Sequence, residues 1–192
     1  MITEQEQNID FESTLDRLFA PSAFFDKNEI EACFLHYGYV SVLQALAQKY
    51  PRLNSAALDY FYRKLQTPKY NRCGQIKTIA MLYNNMRLGG TERVMSLQMK
   101  MFTDMGLRIV LLNDTPSGDK EYKIPNSVRR IMIPPLDARA ERVRALVEIL
   151  KQESVDLLYI HAPQSYFFDI LSCRLGVGIP CICHFHFNFS FN

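Results

Sequence analysis

No charge of one sign dominates this sequence: 22 lysines and arginines stand against 20 aspartates and glutamates, and the two signs are interspersed. The basic stripe that would release counterions from a nucleic acid is missing, so DNA or RNA binding is not expected. Long hydrophobic runs are missing too, and nothing approaches the roughly 18 apolar residues of a membrane span. The first residues, Met1-Ile2-Thr3-Glu4-Gln5-Glu6-Gln7, are acidic and polar, the opposite of a signal peptide. Cysteine is sparse, scattered and odd in number, five in 192 residues. Such a set does not make a disulfide framework and fits a reducing cytoplasm. What remains, 48% hydrophobic and 22% charged residues, is the composition of an ordinary globular protein. At roughly 150 residues per domain, the length allows one complete domain with an appendage, or two small domains. It is short for a cleft between two full Rossmann-like halves.

Two zones differ in texture. Residues 1–72 look helical and contain no strand pattern. Asp26, with Glu29 three residues later, starts a helix whose apolar positions are Ile30, Cys33, Phe34, Tyr37, Leu43 and Ala47. Gly38 weakens its middle, and Pro51 ends it. Asn54 is placed to cap a second helix with Leu58, Phe61 and Leu65 inward, so a helical hairpin is expected, followed by a linker over 66–74. From Ile76 onward, apolar strands alternate with amphipathic helices. The strands expected are 76–83, 107–113, 127–133, 156–161 and 179–184. The helix after the first strand would gather Val94, Leu97, Gln98, Met101 and Met105 on one side, and the helix after Asp137 carries Val143, Leu146, Val147 and Leu150. A further helix is expected over 166–175, and the cluster Arg139, Arg142 and Arg144 reads as a solvated helix face. The alternation predicts an α/β, Rossmann-like parallel sheet preceded by a small helical segment.

Ligands of such sheets bind at the carboxyl ends of the strands. Three stretches lie there. In the first, Asn84 to Arg93, the pair Gly89-Gly90 allows close backbone approach, and the helix beginning near Thr91 aims N–H groups at an anion. The same glycines could serve only a tight turn, with Glu92 favoured by the helix dipole. Neither GxGxxG nor GxxxxGK[ST] is present, which argues against a nicotinamide dinucleotide or a P-loop nucleotide. In the second stretch, His161 closes the fourth strand, placed either to orient a substrate or to satisfy a loop carbonyl. The third is Cys181-Ile182-Cys183-His184-Phe185-His186. Its cysteines share one face of a strand and its histidines point together, but the spacing matches no usual structural-zinc pattern, so no metal is expected. The tail from Phe185 to Asn192 alternates apolar and polar residues, as if it should pack against further material.

Four segments in order carry a resemblance: Leu88-Gly89-Gly90-Thr91-Glu92-Arg93-Val94, Met105 to Val110, Asp156 to Pro163, and Gly178 to His186. Together they resemble the N-terminal, acceptor-side half of GT-B glycosyltransferases, in the retaining group called glycosyltransferase family 4. The resemblance covers Ile76 to Asn192, so the chain is expected to divide into a helical segment, 1–72, outside it, and a Rossmann-like domain, 73–192, truncated at its C-terminal end. It implies transfer of a sugar, of the hexosyltransferase type, from a nucleotide-sugar co-substrate to a glycan or lipid-linked acceptor, with retained configuration and no other cofactor. Gly89, Gly90 and Thr91 would lie at the donor diphosphate, and His186 would act at the reacting sugar. His161, His184 and Glu92 would contact substrate. The family's C-terminal donor-binding domain is not found within these residues, so the resemblance implies a fragment inactive alone. It would work in the cytoplasm, in peripheral contact with the inner membrane face. The competing readings are a non-catalytic Rossmann-like scaffold with a helical interaction module, and a GT-B-type sugar-nucleotide epimerase.

Overall fold

The computed structural model describes residues 4–23, 26–50, 53, 55–66, 74–116, 118, 120–163 and 166–186. The expected roles of Pro51 and Asn54, most of the 66–74 linker and the tail beyond His186 lie outside the described residues. Helices α1 (Glu4–Phe19), α2 (Lys27–Tyr37), α3 (Tyr39–Lys49) and α4 (Ser55–Gln66) precede the first strand. The Asp26 side chain caps α2 by accepting from the backbone N–H groups of Asn28 and Glu29. The single helix expected after Asp26 is in fact two. Gly38 takes φ +81° and ψ 145°, a conformation open to glycine, and breaks the chain between α2 and α3. Helix α1, which sequence periodicity had not revealed, supplies Leu15, Leu18 and Phe19 to the same core as Phe34, Leu43, Leu46 and Phe61.

Strands β1 (Thr78–Leu82), β2 (Arg108–Asn113), β3 (Arg129–Met132), β4 (Leu157–His161) and β5 (Cys181–His184) alternate with helices α5 (Gly90–Asp104), α6 (Arg139–Gln152) and α7 (Phe167–Leu171). All neighbours are parallel, in the order β3-β2-β1-β4-β5. The expected α/β class holds. Asp156 fastens the start of the sheet: its carboxylate accepts from the backbone N–H groups of Lys77 and Thr78, at 2.9 and 3.0 Å. Helix α7 continues as a π-helix through Val177 and ends at Gly178, which takes a left-handed conformation.

One face of the sheet, with Ala80, Leu82, Val110 and Ile160, packs on Leu146 and Leu150 of α6 and on Cys173 of the π-helix. The other, with Met81, Leu111 and Leu157, packs on Met95 and Met99 of α5. The apolar face expected for α5 is therefore corrected. Leu97, Met101 and Met105 are exposed, because the sheet side of this helix is set by Met95 and Met99. The N-terminal helices cover the far side of α6 and α7, where Val143 and Leu171 join their core. Among the described residues, no helix is long and apolar enough to cross a membrane.

Candidate functional site

The carboxyl edge is organised by short polar residues that tie strand ends together. Asn113 donates to the Tyr83 carbonyl at 2.9 Å, and the Asn84 carbonyl accepts from the backbone of Asp114 and Thr115. Asn85 accepts from the Arg87 backbone at 3.0 Å, turning the chain toward α5. Gly89 is the extended N-cap of α5, and Glu92, three residues on, folds its carboxylate back over it. A Cβ at Gly89 would strike that carboxylate, whereas a Cβ at Gly90 would meet nothing within 4 Å. The two glycines thus do different jobs. Gly89 makes room for the Glu92 carboxylate, and Gly90 leaves space above the first turn, whose N–H groups have no partner within the helix. Thr91 hydrogen-bonds Tyr83, whose hydroxyl pKa is raised by burial and then by the charge of Glu92.

Across β1, strands β4 and β5 bring three histidines together. In the parallel register His161 lies opposite His184. His161 is fully buried, and its Nδ1 lies 2.8 Å from Nε2 of His186. The rings of His184 and His186 stack, with centroids 4.2 Å apart. Tyr159, two residues before His161 and so on the same strand face, places its hydroxyl 3.1 Å from Nδ1 of His184 and accepts from Gln98 of α5 at 3.1 Å. Burial pushes His161 down to about 3, with His186 and His184 adding to the shift, so its imidazole is neutral across the ordinary pH range. His186 is also lowered, by burial and then by His184, while the opposing influence of Glu92 reaches it from the first turn of α5. That influence links the glycine loop and the histidines electrostatically. Directly after His161, Ala162 adopts φ +50° while its N–H donates to the His184 carbonyl at 2.9 Å, a strained link that holds the two strand ends together.

The structure thus brings His161, His184 and His186 into one cluster, with Gly89, Gly90, Thr91 and Glu92 at the neighbouring helix start. The cysteines are not part of it. Cys181 packs against the core on the opposite face of the sheet, with Cys173 and Ile179, so a set of two cysteines and two histidines does not converge. Among the described residues, the three histidines are the group with metal-ligand geometry, their donor atoms lying within 4.8 Å of one another. Tyr159 and Gln98 had not been singled out from sequence. The period-2 relation of Tyr159 to His161 was a usable signal, while Gln98 needed the packing of α5.

One arginine departs from its expected place. Arg142 is only 3% exposed rather than on a solvated face. Its guanidinium donates to Asp169 of α7 at 2.9–3.1 Å, to Asp114 after β2 at 2.9 Å and to the Pro134 carbonyl at 2.7 Å. Burial works against this charge, but Asp169 and then Asp114 outweigh it and raise the pKa. The ion pairs lock α6 and α7 to the loop after β2.

A five-stranded parallel sheet in this order, with an open helix start and polar side chains gathered at its carboxyl edge, is the Rossmann-like half-fold found at the N-terminal end of GT-B enzymes. Residues 88–192, more than half the chain and beginning just before Gly89, match the family model of Glycosyltransferase Family 4. The chain belongs to that family and carries a glycosyltransferase domain. A comparison with curated proteins finds no match to the chain.

Proposed function

We propose that this carboxyl edge takes a nucleotide-sugar donor and takes part in transferring its sugar, with retained configuration, to a glycan or lipid-linked acceptor. The observation that carries the proposal is the meeting of an open helix N-terminus at Gly90 with a cluster of histidines close enough to feel the charge of Glu92. The diphosphate would lie on the first turn of α5 over Gly90 and Thr91, where backbone N–H groups and the helix dipole favour negative charge. His186, whose pKa is lowered by burial and then by His184, would hydrogen-bond the donor sugar, with His184 stacked behind it. Buried His161 would hold the His186 ring in place from below, and Glu92 would keep the loop folded rather than touch phosphate. The free state of Cys33, Cys173, Cys181 and Cys183 supports a cytoplasmic setting, and a lipid-linked acceptor would bring the protein to the inner face of the membrane.

The test separates binding from folding. Gly90→Ala has space for its methyl group and a helix-compatible backbone, so stability should hold or rise by about 0.4–1 kcal/mol. Affinity for a sugar nucleotide, titrated from a panel of uridine and guanosine diphosphate sugars, should fall about tenfold or more. His186→Ala should weaken the same binding. If no member of the panel binds, or binding ignores both substitutions, the donor-site proposal fails and the scaffold alternative takes its place. Interconversion of the donor sugar without acceptor would instead mark an epimerase.

A further inference from the structure

We propose that His161, His184 and His186 together form a binding site for a divalent transition-metal ion of the zinc class. Three imidazoles from two adjacent strand ends place their donor nitrogens within 4.8 Å of one another. Zinc–nitrogen bonds of about 2.0–2.1 Å in a tetrahedral arrangement require nitrogens about 3.3 Å apart. The closest pair, His161 Nδ1 and His186 Nε2 at 2.8 Å, would open slightly, and the wider separations would close by about 1.5 Å at most. That adjustment is available. His184 and His186 end an edge strand and begin the segment after it, and both are only partly buried.

One further observation points to a ligand rather than to packing alone, the support behind His184. Metal-binding histidines are oriented by a hydrogen bond to the ring nitrogen that does not touch the metal. Here the Tyr159 hydroxyl occupies Nδ1 of His184 and is itself held by Gln98 of α5, which leaves Nε2 of His184 for the ion.

The donor set also selects the ion. Neutral nitrogen ligands with no carboxylate among them suit zinc, copper, cobalt or nickel and disfavour magnesium and calcium. Each ring ligates through one nitrogen, so binding exchanges the His161–His186 hydrogen bond for metal–nitrogen bonds. Three protein ligands leave a fourth position for water or a substrate oxygen. The site does not depend on the donor-binding proposal, and its test contains no sugar nucleotide.

The experiment is calorimetric titration of the whole metal-free chain with zinc, then with magnesium, near neutral pH. One zinc per chain with micromolar or tighter affinity is expected, and no binding of magnesium. Removing His161 would leave a buried gap, so the partly exposed ligands carry the test: His184→Ala and His186→Ala should each weaken zinc at least about tenfold. Tyr159→Phe, which keeps the ring and loses only the supporting hydroxyl, should weaken it by about tenfold as well. Cobalt in place of zinc should give tetrahedral d–d absorption without thiolate charge transfer. Absence of zinc binding, equal binding of magnesium, affinity unmoved by both histidine variants, or a thiolate band pointing to the cysteines would each overturn the proposal.

Discussion

His161 shows how burial, reinforced by two neighbouring histidines, sets the charge of one residue and makes stability depend on pH. Its folded pKa is pushed down to about 3, chiefly by burial and then by His186 and His184, whereas an unfolded histidine titrates near 6.5. Between those values the unfolded chain binds a proton that the native protein does not. The stability that neutral His161 contributes is therefore complete above about pH 6.5 and is lost as pH falls toward 3, at up to about 1.4 kcal/mol per pH unit for one proton. Urea-unfolding free energies between pH 6.5 and 4.5 should fall more steeply for the native sequence than for His161→Asn. Carboxylate contributions are common to both chains and drop out of the comparison, so parallel slopes would mean that His161 is protonated when folded. Reading the sequence paired His184 with His186 and took His161 separately, because each sits at or just past a strand end. It missed their union, which follows from the parallel register that sets His161 opposite His184 and lets His186 fold back onto both.

At the level of elements, α6 was legible on its apolar side and misjudged on its polar side. Val143, Leu146, Val147 and Leu150 are all buried, as their spacing required. Arg142, four residues before Leu146, lies along the margin of that stripe and is buried with it, which a count of charges could not reveal without the two carboxylates that meet it from other elements. Asp114 comes from the loop after β2 and Asp169 from α7, each far away in sequence. Arg142→Met keeps much of the volume but leaves both carboxylates buried without a partner, and should cost about 3–5 kcal/mol in urea-unfolding measurements. A loss below about 1 kcal/mol would show that water or a local shift compensates the pair. Strands β1, β2 and β4 were legible because each is a short, nearly continuous apolar run. The break at Gly38 was seen only as a weak point, since helix propensity alone does not say whether a glycine bends a helix or ends it.

At the scale of the whole molecule, the question is whether the N-terminal helices and the sheet unfold together. Sequence texture divides the chain near residue 72, but packing does not respect the division. Val143 of α6 and Leu171 of α7 belong to the same core as Phe19, Phe34, Leu46 and Phe61, while Leu146 and Leu150 of that same α6 pack on the sheet. Gln44 of α3 donates to the Ala140 carbonyl at 3.3 Å, and Arg174 of the π-helix donates to the Leu65 carbonyl of α4 at 2.9 Å. Helices α6 and α7 are thus shared walls, and losing the helical layer would expose apolar surface on the elements that cover the sheet. Leu46 lies at the centre of that layer with no exposed surface, and Leu46→Ala should cost about 2–5 kcal/mol. If the layers form one cooperative unit, native-state hydrogen exchange will report that loss equally at amides of α3 and at the buried amides of β1 and β4, although no strand residue has changed. Exchange that accelerates in α1–α4 while the strand amides keep their protection would separate the layers. The sheet, with its edge of histidines, would then stand as a domain able to fold without the helices that precede it.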